Sequence, residues 1–275
     1  MIEERTDRWE GRAAAELAAA WGIPALHPFL SVGSTNDVAR ALAEAGAPAG
    51  TAVIAEEQRA GRGRGGRHWV SPPGLGIWLS AVLRPAELPA PGLLPLRVGL
   101  AAAAALDAFA RPGRVEVKWP NDLLVAGRKL GGILCEGSWD AAGVSFVVAG
   151  IGVNAAHAPD DFPAVLREHA TSLRMAAGWS PPRAEVAGAL ARALAALPAR
   201  FASTLSDAEM AELEHRDALR GLPVRVTAEG AAPLEGIAKG VAPDGALLLR
   251  TADGRTVPVH SGTVRPLPDA SAAAD

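Results

Sequence analysis

The chain has 275 residues, 49% of them hydrophobic, which is enough for one large packed domain with a smaller one beside it. Its formal charge is −3, from 27 basic and 30 acidic residues, so nothing in the overall balance suggests a polyanion partner. The single cysteine, Cys135, excludes an internal disulfide, and the six histidines show no H-x-x-x-H or C-x-x-C pairing of the kind that holds zinc.

The amino terminus carries both signs of charge, and the alanine run after it is interrupted by Glu16. Neither reads as a signal peptide or a membrane span, so a cytoplasmic protein with no membrane contact is expected. Residues 12–21 predict a helix and 27–32 a short strand. Ser34-Thr35-Asn36-Asp37 opens the next helix, to about residue 45, with Ser34 and Asp37 placed as in a capping box. Such a cluster serves as a helix cap, and it also offers donors and acceptors to a ligand. Both readings stay open at this point.

Strands are predicted over 51–57 and 75–83, with Trp78 in the core, and a buried helix over 96–110. Residues 114–119 form a strand that breaks at Pro120-Asn121-Asp122. A tight hairpin turn at 126–129 leads to a strand over 130–137, where Gly131-Gly132 marks a bulge or a close backbone approach. A strand rich in β-branched residues, 144–153, ends at Asn154. Hairpin-like strands in this order predict a mixed or antiparallel sheet with helices on one side, an α+β fold. Helices are expected over 181–201, with apolar residues at 186, 190, 194 and 197, and from Ser206 to about 220, with S-D-A-E as its cap. After Gly221 come short strands at 224–227, 234–239, 246–250 and 256–260, parted by Pro243-Asp-Gly245 and Ala252-Asp-Gly254. They predict a small barrel over 221–268 behind a domain spanning 1–220, with a disordered tail over 269–275.

The most informative stretch is 58–71, Q-R-A-G-R-G-R-G-G-R-H-W-V-S. Four arginines and four glycines without an acidic residue suit neither helix nor strand. They suit a loop, mobile when empty, whose amides and guanidinium groups close on phosphate or carboxylate oxygens. A solvated basic loop, or an RGG-like nucleic-acid segment, has the same composition. Its place between two predicted core strands sets it apart from a disordered RGG tail.

S-T-N at 34–36, G-R-G-R-G-G-R-H-W at 61–69, K-W-P-N-D at 118–122, G-R-K-L-G-G-I-L at 127–134 and G-I-G-V-N at 150–154 together resemble the biotin protein ligase family. The resemblance runs from about residue 27 to 267. It implies a catalytic domain like that of class II aminoacyl-tRNA synthetases, with mixed sheet and flanking helices, followed by an SH3-like barrel. It implies biotin and ATP, with Mg²⁺ on the phosphates, as substrates for biotinyl-5′-adenylate. The acyl group would then pass to a lysine of a biotin carboxyl carrier protein, the partner. By matching position, Ser34, Thr35, Asn36 and Gln58 would line the biotin site. Arg62, Gly63 and Arg64 would close over biotin and adenylate, with the two arginines also catalytic. Arg67 and Trp69 would lie at the nucleotide, with Lys129 and Asn154 on the same side. Lys118 would be the catalytic lysine, and no protein-held metal is implied.

Bland readings stand beside these roles. Trp69 and Trp119 are residues that often serve a core, Lys118 is a residue that guards sheet edges, and Arg67 is one that holds a loop through an intrachain carboxylate. About 26 residues precede the first strand, too few for a winged helix, so no DNA binding is expected. Monomer and homodimer both stay open. A lipoate or octanoate ligase or transferase of the same superfamily is the nearest alternative, and a nucleic-acid-binding protein using the Arg/Gly loop is a remote one.

Overall fold

The computed structural model describes residues 3–267 apart from Ala142 and Glu229. The tail expected at 269–275 lies outside that range. The elements, in chain order, are β1 (Glu4–Arg5), β2 (Arg8–Trp9), β3 (Arg12–Ala13), α1 (Ala14–Trp21), β4 (Leu26–Val32), α2 (Thr35–Glu44), β5 (Ala52–Gln58), β6 (Gly76–Leu83) and α3 (Leu94–Leu106). They continue through β7 (Glu116–Lys118), β8 (Asp122–Val125), β9 (Arg128–Asp140), β10 (Gly143–Asn154), α4 (Leu173–Ala177), α5 (Arg183–Ala195) and α6 (Asp207–Arg216). The last part holds β11 (Pro223–Thr227), β12 (Leu234–Val241), β13 (Leu247–Arg250), β14 (Thr256–Val259) and β15 (Thr263–Pro266).

Among the described residues the larger sheet has the order β1-β4-β5-β6-β10-β9-β8-β7. Only β4 and β5 run parallel; the other pairs are antiparallel. A parallel pair needs a crossover, and α2 supplies it. That requirement corrects the expectation of helices on one side. Strand β5 alternates Ala52 and Ile54 into the main core with Val53 and Ala55 into a second one, on the opposite face. There α2 buries Val38 and Ala39 against Phe29, Val82, Phe146 and Val148. On the main face α1, α3 and α5 bury Leu17, Leu96, Val98, Leu106, Val186 and Leu190. The stretch Pro91–Phe109 is long and apolar enough to cross a membrane by composition, but α3 within it packs against the sheet as a core helix.

Some expected boundaries shift for local reasons. The helix expected over 181–201 stops at Ala195, three residues before Pro198. The helix expected from residue 12 starts at Ala14, because Arg12 and Ala13 pair with β2. The Ser206 cap forms as expected: its hydroxyl accepts from Glu209 N–H, and the Glu209 carboxylate accepts from Ser206 N–H. At Ser34 no such cap forms, which corrects the capping-box reading; the Asp37 carboxylate is engaged elsewhere. The reversal at Ala126-Gly127 takes two residues with positive φ, a primed hairpin turn.

The carboxy-terminal strands form a five-stranded antiparallel sheet, order β14-β13-β12-β11-β15. The sequence pattern missed β15. This sheet is tied to the large one by Trp119 Nε1–H, which donates to the Gly245 carbonyl at 2.9 Å. Trp119, like Trp78, is thus a core residue.

Candidate active site

The loop 58–71 folds as a hairpin. Trp69 N–H donates to the Gly61 carbonyl at 2.8 Å, Gly63 N–H to the Arg67 carbonyl at 2.7 Å, and Gln58 N–H to the Ser71 carbonyl at 3.2 Å. The tip turns through Gly65 and Gly66, at φ 64° and 70°, where a side chain would strain the backbone. The hairpin leans over a cavity of about 790 Å³, walled by β6, β9, β10, the start of α2 and β15. Ser34, Thr35, Asn36, Gln58, Arg62, Gly63, Arg64, Arg67, Trp69, Lys118, Lys129 and Asn154 all line it.

One end is neutral and internally bonded. Gln58 Oε1 accepts from both the backbone N–H (2.9 Å) and the hydroxyl (3.0 Å) of Thr35. Gln58 Nε2 donates to the Ser71 hydroxyl at 3.0 Å. The fully buried Ser80 hydroxyl shares its proton between Thr35 Oγ1 at 2.7 Å and Asn36 Oδ1 at 2.6 Å. Asn36 Nδ2 donates to Glu136 at 2.6 Å. Helix α2 starts here, so its first amides also face this end.

The other end is cationic. Lys118 closes the edge strand β7 and points at Asp122, Nζ to Oδ2 3.6 Å. Lys129 takes the other oxygen of that carboxylate at 2.6 Å. Burial is the largest influence on Lys118 and pulls its pKa below the usual lysine value, against the attraction of Asp122. Burial also lowers the pKa of Arg64, and the neighbouring Arg67 adds to it. Arg67 Nε–H donates to the Arg64 carbonyl at 3.1 Å; the structure assigns it no carboxylate among the described residues, which corrects that reading. One carboxylate, Asp122, thus answers Lys118 and Lys129 and attracts Arg64, while Arg67 stands beside this cluster. Such a cluster is relieved by a multivalent anion.

Trp69 lies between the two ends. Its indole rests on Gly132 and Gly152, and a Cβ at Gly152 would stand 2.8 Å from the indole Nε1. The second glycine of G-G and of G-I-G thus gives the ring its bed, while Gly150 leaves room for Asn36 and Gly131 for the Gly152 backbone. Lys129 Nζ sits 5.2 Å from the ring centroid, a cation–π contact. Asn154 Nδ2 donates to the carbonyl of Thr171 at 3.0 Å and that of Lys129 at 3.4 Å, fastening the 155–171 segment to β9.

Several lining residues carried no sequence signal. His157 and Phe162 line the cavity and stack with ring centroids 4.8 Å apart. Residues 263–266 of β15 bring the small sheet to the rim. Ser80 hides inside an apolar strand run. Asp122 was visible only as a letter of K-W-P-N-D. Cys135 contributes no thiolate, because burial pushes its pKa up to about 12.

The fold and cavity define a class: a mixed-sheet domain with a small antiparallel sheet at its rim, whose cavity pairs a hydrogen-bonded neutral end with a cationic one. The chain matches the Biotin/lipoate A/B protein ligase family over residues 29–154 and the Biotin protein ligase C terminal domain over residues 221–265. It is 36% identical over 256 residues to the biotin–[acetyl-CoA-carboxylase] ligase of Mycobacterium tuberculosis, covering 90% of this chain and 91% of that one. It is 43% identical over 162 residues to the bifunctional ligase/repressor BirA of Bacillus subtilis, but there it spans about half of the relative's length (49%) and 58% of its own. The biotin protein ligase from Aquifex aeolicus, solved in complex with biotin and ATP, is similar at a TM-score of 0.72 and 27% identity, covering 88% of this chain and 99% of that one. The chain belongs to the biotin protein ligase family.

Proposed function

We propose that the protein is an ATP-dependent biotin protein ligase, acting in the cytoplasm. It joins biotin and ATP as biotinyl-5′-adenylate and then passes biotin to a lysine of a biotin carboxyl carrier domain. The observation that carries this reading is the split character of one cavity, neutral and hydrogen-bonded at Thr35, Asn36 and Gln58, cationic at Arg64, Arg67, Lys118 and Lys129.

In the first step a biotin carboxylate oxygen bonds to the α-phosphorus of ATP, and the bond to the bridging oxygen of pyrophosphate breaks. No proton moves, so no general base is required. The barrier is the approach of two anions, and fixed positive charge lowers it. Lys118, at the end of a strand, is the fixed point charge at that place. Arg64 and Arg67 serve the phosphates, with Trp69, Lys129 and Asn154 on the nucleotide side. Ser34, Thr35, Asn36, Gln58 and Gly63 serve the biotin side, and Arg62 stands between. Mg²⁺ accompanying ATP would offset the phosphate charge, and Asp122 is the carboxylate at that end. In the second step the carrier's lysine amine attacks the acyl carbon and AMP leaves. Residues 1–220 form the catalytic domain in this reading, and 221–268 the barrel at its rim.

ATP–pyrophosphate exchange with purified protein and Mg²⁺ tests the proposal, with biotin, lipoate and octanoate compared. Exchange with biotin alone is expected. Exchange with lipoate or octanoate instead would move the protein to the sister branch of the superfamily. No exchange with any acid would overturn the activation chemistry and send the search to nucleic-acid binding, read by its salt dependence.

A further inference from the structure

Asp37 sits in the first turn of α2, where it was expected to cap the helix. Instead its two oxygens receive a fork from Arg62, Nη1 to Oδ2 at 2.8 Å and Nη2 to Oδ1 at 2.6 Å. This end-on geometry is the strongest an arginine and a carboxylate make. The pair holds Asp37 below the usual carboxylate range, the Arg62 hydrogen bond being the largest cause. Glu136, on β9, lies 3.5 Å from Arg62 Nη2 and 3.9 Å from Arg40. The same Glu136 accepts from Asn36 Nδ2, whose Oδ1 contacts Ser80. Arg62 itself is on the first arm of the loop hairpin and bridges His68 on the second. Among the described residues, Arg62 is the one of Arg62, Arg64 and Arg67 whose guanidinium meets carboxylates of the domain body.

Arg62 is therefore a different kind of arginine from its neighbours. Two carboxylates already answer its charge, so its contribution at the cavity is a fixed position. Arg64 and Arg67 keep their charge for an anion. We propose that Asp37 and Glu136 are a latch that holds the Arg/Gly loop over the cavity through Arg62, as positioning residues for retention of the activated intermediate. This rests on the function proposed above. Asn36 couples the latch to the neutral end, so the residue that grips loop closure also borders the recognition pocket.

The test is a cycle of Asp37→Asn, Arg62→Ala and the double variant, with Glu136→Gln in parallel. Release of adenylate formed from biotin and labelled ATP is followed after a chase. Asp37→Asn should speed release about threefold to tenfold, the range of a well-formed, partly exposed ion pair. In the Arg62→Ala background the same change should add nothing. An effect that persists there would make Asp37 a helix-terminus residue and overturn the latch, as would unchanged release in Asp37→Asn. Asp37→Glu, which keeps the charge, should recover part of the loss. Limited trypsin cleavage within 62–67 reads the latch without any substrate: Asp37→Asn should be cut faster than the parent, and equal rates would overturn the proposal. A parent inactive in exchange but with Asp37-dependent cleavage would instead overturn the function and keep the latch.

Discussion

Thr35, Gln58, Ser71, Ser80 and Asn36 bond to one another at one end of the cavity, while at the other end Lys118 and Lys129 share the single carboxylate of Asp122, with Arg64 and Arg67 beside them. The first end is assembled by the protein's own donors and acceptors, so its geometry is fixed before a ligand adds to it. The second is held in shape by packing, with unanswered charge. The difference separates two tasks. Fixed, neutral hydrogen bonds discriminate, because a ligand without the matching groups leaves buried partners unpaired. Surplus charge accelerates, because it stabilises an anion crowding that the ground state lacks.

Removing the charge at its centre should have the largest effect. Lys118→Ala is expected to lower adenylate formation by about 10²–10³-fold. ATP–pyrophosphate exchange reads it, with far-ultraviolet circular dichroism to show that the fold survives. Activity within threefold of the parent would remove Lys118 from the reaction. The neutral end should respond differently. Gln58→Ala strands the Thr35 N–H and the Thr35 hydroxyl proton, each worth about 1–3 kcal/mol when buried unpaired. KM for biotin should rise by about tenfold to a hundredfold, with a smaller change in kcat. A loss confined to kcat would erase the division of tasks.

Asp122 sharpens the comparison from the other side. Burial lowers the Lys118 pKa and Asp122 raises it. The rate should fall with rising pH as Lys118 loses its proton, at a pH below that of an ordinary lysine. Asp122→Asn removes the opposing attraction, so this alkaline limb should move to lower pH. A limb that stays in place in the variant would mean that another group titrates there. The variant also loses the partner of Lys129, so the pH profile, rather than the absolute rate, is the diagnostic quantity.

The motifs were legible because each is local. A glycine-arginine loop, a strand ending in lysine and a helix start rich in small polar residues announce themselves in a few letters, and packing then brings them to one cavity. What stayed hidden depends on distance. Asp37 looked like a cap, and the winner of its carboxylate was Arg62, 25 residues away. Residues 263–266 reach the rim only because the small sheet docks on Trp119 through Gly245. Helix α2 lies on the opposite face because β4 and β5 are parallel, and no hydrophobic pattern in either strand encodes that direction. Gly152 sits unmarked inside a strand run, yet with Gly132 it is the bed of an indole.

His157 offers the smallest effect and a wall that belongs to neither end. Its ring is 3% exposed, stacks on Phe162 and meets Trp78 edge-on at 6.3 Å, and Trp78 meets Trp69 in the same way at 6.4 Å. Nδ1 is buried without a partner among the described residues, and the other nitrogen is bonded at the Leu75 carbonyl. Burial lowers its pKa below 6.5, outweighing the attraction of Asp161, so the folded protein favours the neutral ring. The sign follows: protonation is easier in the unfolded chain, so the folded state is unaffected above an unfolded value near 6.5 and loses stability as pH falls below it. The slope from this one group is at most about 1.4 kcal/mol per pH unit. Urea unfolding at pH 7.5 and 5.5 measures it, and His157→Gln, which keeps an amide donor but cannot titrate, should flatten the difference. An equal pH dependence in the variant would assign the loss to other groups and leave this aromatic wall as packing alone.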